Sequence, residues 1–388
     1  MGITKLAAVI REAAPEAVSR ASLQDYGGRI VAVDTSVAIY QFLTGMPEIH
    51  NRNGENISLL QGLFFRTVTL LENGIKPVYV FDGRPPELKQ PLLAKRAETA
   101  KFSRRSVGAG AISAASSPAE QSGGLDPLLI PDRASEKDCE TLLRHLGVPC
   151  LQAPGEAEAT CAALVASGRA WCTVTEDMDA LPFGSTRLVR HLTAGKKGEI
   201  EEYSLPIILE KLKLNRRQFV DLCILLGCDY TGKIQGLGPK KALNLLQKHG
   251  SIEGIMQHTN KQNLPCPDDW RFEEARALFL QPSVIDDSRV HLEWTEPDEE
   301  KLVQFLSHQK HMKEARVRSR MENMRKTQLK KRKALEKMPT PEKRQRTMGE
   351  FFSVKKNVKS VSKPQSVDVP QMFLGEKSHS HSPHPSGS

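Results

Sequence analysis

Four short β-branched runs each end in acid. Arg29–Val33 (RIVAV) is followed by Asp34, and Pro77–Phe81 (PVYVF) by Asp82. Val148–Leu151 (VPCL) leads to Glu156 and Glu158, and Cys172–Thr175 (CTVT) to Asp177 and Asp179. Between the runs lie helical periodicities such as Leu59–Leu71. Strands alternating with helices predict an α/β fold with a mostly parallel central sheet flanked by helices. In open sheets of that kind, ligands bind beyond the carboxyl ends of the strands, where these acids stand.

The spacing within each pair limits how the acids converge. Residues two apart do not share a helical face, so Glu156 and Glu158 meet only by straddling the entry to the helix that PGEAEATCAALVA begins. Asp177 and Asp179 meet if their segment is extended. A seventh acid, Asp229, follows Asn215–Gly227 (NRRQFVDLCILLG), a predicted helix with Asn215 as its N-cap. The macrodipole disfavours an anion at a helix C-terminus, a conflict that a nearby cation would remove. Glu176 and Asp221 read as surface or capping groups. All-oxygen ligation suits a hard cation, Mg²⁺ with Mn²⁺ left open, over Zn²⁺. Seven carboxylates carry more charge than one divalent ion neutralises, so two metals are expected, placed to clamp the oxygens of a phosphoryl displacement.

A second motif points to a polymer. Ile234–Ala242 (IQGLGPKKA) precedes a predicted helix over Leu243–His249. Its spacing predicts a helix-hairpin-helix element in which Gly236, Gly238 and Ala242 let two helices pack closely. Backbone N–H groups at the second helix would face a phosphate, with Lys240 and Lys241 beside them. Such hairpins hold a duplex backbone without reading sequence.

Composition supplies the outline. The 388 residues are 39% hydrophobic and 26% charged, enough for a large core. The net charge is +9, yet Lys310 to Lys359 alone hold 18 lysines and arginines against five acids. The basic signal therefore belongs to the C-terminal segment. Seven scattered cysteines without a C-x-x-C pair read as reduced core thiols. No run approaches the roughly 18 apolar residues of a membrane span, and the first residues lack a signal-peptide pattern. The expectation is an intracellular chain with no membrane partner and a monomeric core. Gly2 does not read as a lipidation site, because Leu6 stands where that motif needs Ser or Thr.

MGI, VAVDTSVAIYQFL, GIKPVYVFDGRPPELK, LLAKR, APGEAEA, TEDMD, FVDLCILLGCDY and GLGPKKA together resemble a flap endonuclease of the XPG-type 5′-nuclease superfamily, over nearly all of residues 1–310. The resemblance implies a PIN-like 5′-nuclease fold. It also implies a Mg²⁺-dependent enzyme that removes 5′ flaps from DNA in Okazaki-fragment maturation and base-excision repair, with 5′–3′ exonuclease activity. Asp34, Asp82, Glu156, Glu158, Asp177, Asp179 and Asp229 match the family's metal-site acids. Lys89 and Arg96 match its basic pair at the scissile phosphate; about two helical turns apart, they can share a face. Tyr40 matches a base-stacking residue, Arg66 a phosphate contact, and Gly2 a small residue near the substrate. Two alternatives stay open: a non-catalytic or weakly active clamp- and DNA-binding paralogue, and a junction or bubble nuclease of the same superfamily.

The chain departs from the family after Arg96. Where the family carries a charged helical arch, Ser106 to Asp132 contain no Lys or Arg and accumulate Gly, Pro and Ser, which predicts a flexible segment. The organisation expected is a nuclease region (1–105), an atypical arch (106–134), a second nuclease region with the hairpin (135–255), the C-terminal part of the core (256–329) and a disordered basic tail (330–388). Within the tail, KKRK and KRQR resemble a bipartite nuclear signal, with nucleolus or mitochondrion left open as further locations. QRTMGEFF fits a clamp-binding box at Gln345, Met348, Phe351 and Phe352, so a PCNA-type sliding clamp is an expected partner beside branched or nicked duplex DNA with a 5′ flap.

Overall fold

The computed structural model describes residues 2–45, 47–96, 98, 133–192, 200–258, 265–267 and 270–336. The arch is outside the described residues apart from its last two positions, and the clamp box is wholly outside them. The described residues up to Leu335 belong to one compact unit, Met1–Leu335.

The chain opens with α1 (Leu6–Ala13), β1 (Val18–Ala21) and β2 (Ile30–Asp34), then α2 (Thr35–Gly45), α3 (Ser58–Glu72) and β3 (Lys76–Phe81). A single 3-10 turn, Glu87–Lys89, runs into α4 (residues 90–96). Next come α5 (Arg133–His145), β4 (Cys150–Gln152), α6 (Ala157–Ala166), β5 (Cys172–Val174), α7 (Ala180–Phe183), β6 (Arg187–Arg190) and β7 (Ile200–Ser204). Helices α8 (Leu205–Leu212), α9 (Arg216–Leu226), α10 (Pro239–His249), α11 (Ile252–His258), α12 (Phe272–Leu280), α13 (Glu299–Val303) and α14 (Glu314–Glu336) complete it.

The strands form one seven-stranded sheet in the order β1-β7-β6-β5-β2-β3-β4. Pairs β2–β3, β2–β5, β3–β4 and β5–β6 are parallel, and β7 runs antiparallel to both its neighbours. All four runs read from the sequence are strands of the parallel part. Their residues are apolar on both sides because helices cover both faces. Val31, Val33, Tyr79 and Phe81 pack with α2, α3, α5 and α14, whereas Ala32, Val78 and Val80 pack with α6 on the opposite face. Burying each of the valine and phenylalanine side chains among them stabilises the fold by roughly 1.5–3 kcal/mol.

The predicted helix after Asn215 is α9. Asn215 Oδ1 accepts from the Gln218 N–H at 2.9 Å, and Gln218 Oε1 accepts from the Asn215 N–H at 2.8 Å, a reciprocal capping box. Two expectations need correction. The helix α14 continues to Glu336, past residue 330 where the tail was expected, because its apolar Val317, Met321 and Met324 are buried against the α3/α5 side. Asp221, expected as a surface or capping group, does cap, its Oδ2 accepting from the Ile252 N–H at 3.3 Å at the start of α11, but it is fully buried, and Arg276 of α12 donates to it at 2.5 and 3.0 Å. Arg276 also donates to Glu253 at 2.7 and 3.0 Å. These bonds outweigh the burial that alone would lower the arginine's pKa, and keep it charged.

Candidate metal and nucleic-acid site

Strand order reverses at β2, with β3 and β4 on one side and β5 and β6 on the other. The crevice of such a sheet lies at that switch point. Asp34 closes β2, and its carboxylate is locked twice: Oδ1 accepts from the Val37 N–H at 3.2 Å, capping α2, and Oδ2 accepts from the Thr175 hydroxyl at 2.9 Å. Asp82 follows β3, and its Oδ1 accepts from the Ala157 N–H at 2.7 Å at the start of α6. Glu156 is the N-cap of α6 and Glu158 lies in its first turn, so the pair straddles the helix entry as expected.

Asp177 and Asp179 converge by another route than the extended segment expected. The Asp179 N–H donates to Asp177 Oδ1 at 2.9 Å, and Asp179 has helical backbone angles at the start of α7. That side-chain-to-backbone bond two residues on is the local competition by which aspartates make turns. Gly2 adopts φ +71°, and a Cβ there would collide with both carboxylates. The Ile3 N–H donates to Asp179 Oδ1 at 2.8 Å, so the N-terminus is a wall of the site.

Asp34, Glu156, Glu158, Asp177 and Asp179 are only 1–9% exposed. Burial first, and then the mutual repulsion of these acids with Asp82, raises the pKa of Asp34 to about 8 and that of Glu158 well above the usual carboxylate range. Asp179 is raised well above the range by burial and by Asp177 and Asp229. Glu156 is raised chiefly by burial, against the pull of Lys89.

Two cations answer this charge. The Lys89 ammonium donates to Glu156, and its pKa is raised because Glu156 and Glu158 outweigh the effect of burial. The Arg96 guanidinium donates to both Asp229 oxygens, at 3.1 and 3.2 Å, and is the cation that an acid at the end of α9 calls for. Among the described residues, no three His, Cys, Asp or Glu side chains stand as a ready-made cage for one ion.

The remaining expected contacts divide. Tyr40 lies on α2, half-buried. Arg66 on α3 is half-buried; it donates to Gln41 Oε1 at 2.9 Å and stacks 4.2 Å from the Phe42 ring centroid. In the hairpin, a Cβ on Gly236 or Gly238 would meet nothing within 4 Å, so these glycines do not bring helices into close contact. Gly236 is required by its φ of +73°, and Gly238 caps α10, which begins at Pro239 and buries Ala242. Lys240 pairs with Glu12 of α1 at 2.5 Å, while Lys241 is exposed.

The sequence reading passed over one group and underrated another. Thr175, which orients Asp34, carried a signal in its place between strand and acids. Glu176 is no surface group: its carboxylate accepts from the His191 N–H at 2.8 Å and sits 3.0 Å from His191 Nδ1 and 3.4 Å from Arg190 Nε. These contacts fasten the acidic turn to the end of β6.

The XPG N-terminal domain matches residues 1–103 and the XPG I-region matches residues 147–229. Flap endonuclease 1 of Danio rerio is 46% identical over 329 residues, 82% of this chain and 85% of the relative. The catalytic core of Rad2 in complex with DNA superposes with a TM-score of 0.64 at 24% identity, covering 83% of this chain and all of that one. The flap endonuclease-1 of Methanococcus jannaschii gives a TM-score of 0.62 at 26% identity, covering 81% and 97%. Among the described residues, no helix is long and apolar enough to cross a membrane. With this likeness extending across both nuclease regions and the acidic crevice between them, the chain belongs to the flap endonuclease family of XPG-type structure-specific nucleases.

Proposed function

We propose that the chain hydrolyses the phosphodiester backbone of 5′-flapped or nicked duplex DNA with two Mg²⁺ ions, Mn²⁺ being the alternative, in Okazaki-fragment maturation and base-excision repair. The observation that carries this is the meeting of acids from four strand ends and the end of α9 in one buried crevice. The donor set fits a hard divalent cation, because its carboxylates are all-oxygen ligands that raise one another's pKa and gain from a counter-charge. Asp34, Asp82, Glu156, Glu158, Asp177, Asp179 and Asp229 would hold the ions, with Lys89 and Arg96 exchanging their present partners for the scissile phosphate. Bound metal would polarise the phosphoryl oxygens and lower the pKa of water. The chain's own part is to hold each carboxylate in place and to offer two cations to developing negative charge.

Gly2, Tyr40, Arg66 and the hairpin's Gly236, Gly238, Lys240 and Lys241 would contact DNA, Arg66 after releasing Gln41. Residues 345–352 would dock on a PCNA-type sliding clamp, and the basic tail would direct the chain to the nucleus. Cleavage of a nicked flap under Mg²⁺ titration, with and without clamp, tests the reading. Strong metal-independent binding without cleavage would favour the non-catalytic paralogue, and preference for a four-way junction would favour the junction nuclease. Phe351→Ala with Phe352→Ala should abolish stimulation by the clamp while leaving clamp-free cleavage intact.

A further inference from the structure

The parallel strands are charged oppositely at their two ends. The segments leaving β2, β3, β4 and β5 carry the acids of the crevice. At the opposite ends of β2 to β6, residues 27–29, 73–76, 146–149, 167–171 and 184–187 include Arg29, Lys76, Arg169 and Arg187 and no acid. The five residues of β2 set the two ends roughly 15 Å apart.

The register places these cations beside aromatic rings. Ile30 pairs with Lys76, Val31 with Cys172 and Thr173 with Leu188, so Lys76, Arg29, Trp171 and Arg187 stand side by side at the starts of β3, β2, β5 and β6. The Lys76 N–H donates to the Arg29 carbonyl at 2.9 Å, and the Trp171 N–H to the Ile30 carbonyl at 2.7 Å. The centroid of the Trp171 ring lies 3.8 Å from the Arg29 guanidinium carbon and 4.0 Å from that of Arg187, distances at which two guanidiniums fit only on opposite faces of the ring. Lys76 Nζ lies 5.6 Å from the centroid of Trp294, whose ring N–H donates to the Pro77 carbonyl at 2.8 Å. Arg187 is answered by Glu202, but Arg29 and Lys76 are exposed and make no ion pair among the described residues. Gly28 and Gly168 keep the surroundings open, since a Cβ on either would meet nothing within 4 Å.

Exposed cations fixed against rings suit a polyanion that also carries flat groups. A duplex hides its bases and an acidic peptide has none. A single strand offers phosphates to Arg29 and Lys76, and bases to the outer guanidinium faces and the indole edges. We infer that the end of the sheet opposite the acids is an interaction surface for single-stranded nucleic acid, held by Arg29, Lys76, Trp171, Arg187 and Trp294. The strand it holds is not the one being cut, because none of these residues belongs to the crevice or to the expected duplex contacts. The inference goes beyond the nuclease reading and does not depend on it.

The test uses the full chain, without divalent metal, and an oligothymidylate of about ten nucleotides carrying bromodeoxyuridine, which cross-links to neighbouring tryptophans under ultraviolet light. Cross-links should map to Trp171 or Trp294 and persist in an excess of nicked duplex, which offers no unpaired strand. Arg29→Gln with Lys76→Gln should erase them and lower the slope of log affinity against log salt by about 1.4, the share of two phosphate contacts on a single strand. With metal restored, the same variant should cut flaps at the parental rate, and because both side chains are exposed it should melt at the parental temperature. Cross-links confined to other residues, or an unchanged salt slope, overturn the surface. So does displacement by the nicked duplex, which would place the strand in the nuclease site. Polyglutamate that removes the tryptophan cross-links at equal charge overturns it in favour of an acidic protein partner.

Discussion

Lys89 and Glu156 are joined by a hydrogen bond between the turn after β3 and the N-cap of α6, so the free protein holds its own cation where substrate charge would later develop. Lys89→Ala should lower turnover on flaps by about 10²–10³-fold, the scale of one lost charge-stabilising donor, with a much smaller change in KM. Single-turnover rates at saturating enzyme read the difference directly. A loss confined to KM would make Lys89 a binding residue only.

Asp177→Ala removes both a candidate metal ligand and the acceptor that shapes the turn to Asp179. Cleavage should become undetectable while flap binding, which the proposed hairpin contacts would sustain, changes less than about threefold. Gel-shift and nuclease assays on one substrate measure both quantities, and parallel loss would contradict a ligand role.

Gly2→Ala puts a methyl group into the Asp177 and Asp179 carboxylates at a backbone angle that alanine seldom adopts. The displaced N-terminus should release the Ile3–Asp179 bond and reduce cleavage about 10²-fold, since misplacement by an ångström is costly at a reacting centre. Rates comparable to the parent would show that the wall formed by the N-terminus is dispensable.

The buried acids make stability depend on pH with a definite sign. Asp34, Glu156, Glu158 and Asp179 have folded-state pKa values raised above the roughly 4 of an unfolded carboxyl. Each favours the fold while neutral; that contribution is complete below about pH 4 and is lost as pH rises through the folded value, about 8 for Asp34. Metal-free protein should therefore melt several degrees lower at pH 8 than at pH 5. A divalent cation should raise the melting temperature more at pH 8 than at pH 5. Asp34→Asn should flatten part of the slope, and a pH-independent melting curve would refute the account.

Arg276→Gln breaks a buried pair with Asp221 and leaves that carboxylate short of its partner. It should destabilise the fold by about 3–5 kcal/mol. Denaturant titration measures this. Removing the exposed Arg271, which pairs with Glu274 three residues on, should cost far less, because solvent screens an exposed ion pair.

What the sequence disclosed was local. RIVAV, PVYVF and CTVT are long enough in β-branched residues to declare strands, and Asn215 with Gln218 declares a helix start within four residues. Strands β1, β6 and β7 escaped notice because VSRA, RLVR and IEEYS are short and rich in charge, at or near the antiparallel edge of the sheet. Asp221 with Arg276 and Glu176 with His191 are tertiary pairings whose partners no spacing announces. Seven acids could be picked out by their strand-end and helix-end addresses, but the Asp177–Asp179 turn depends on a hydrogen bond rather than on periodicity. Arg66 was visible as a cation; only the fold shows it engaged by Gln41 and Phe42.

The sheet's register also has a consequence for synthesis. Val18 pairs with Tyr203, and Val31 with Cys172, so an early strand waits for one made far later. At about 5–20 residues per second, the ribosome needs on the order of ten seconds or more to supply β7 after β1 has been made. During that interval β1 has an unpaired edge and β2 lacks its β5 neighbour, leaving apolar strand surface open to aggregation. The nascent chain therefore carries this exposed strand surface throughout the interval, and the buried acids cannot be gathered until β5 and the start of α7 have been made.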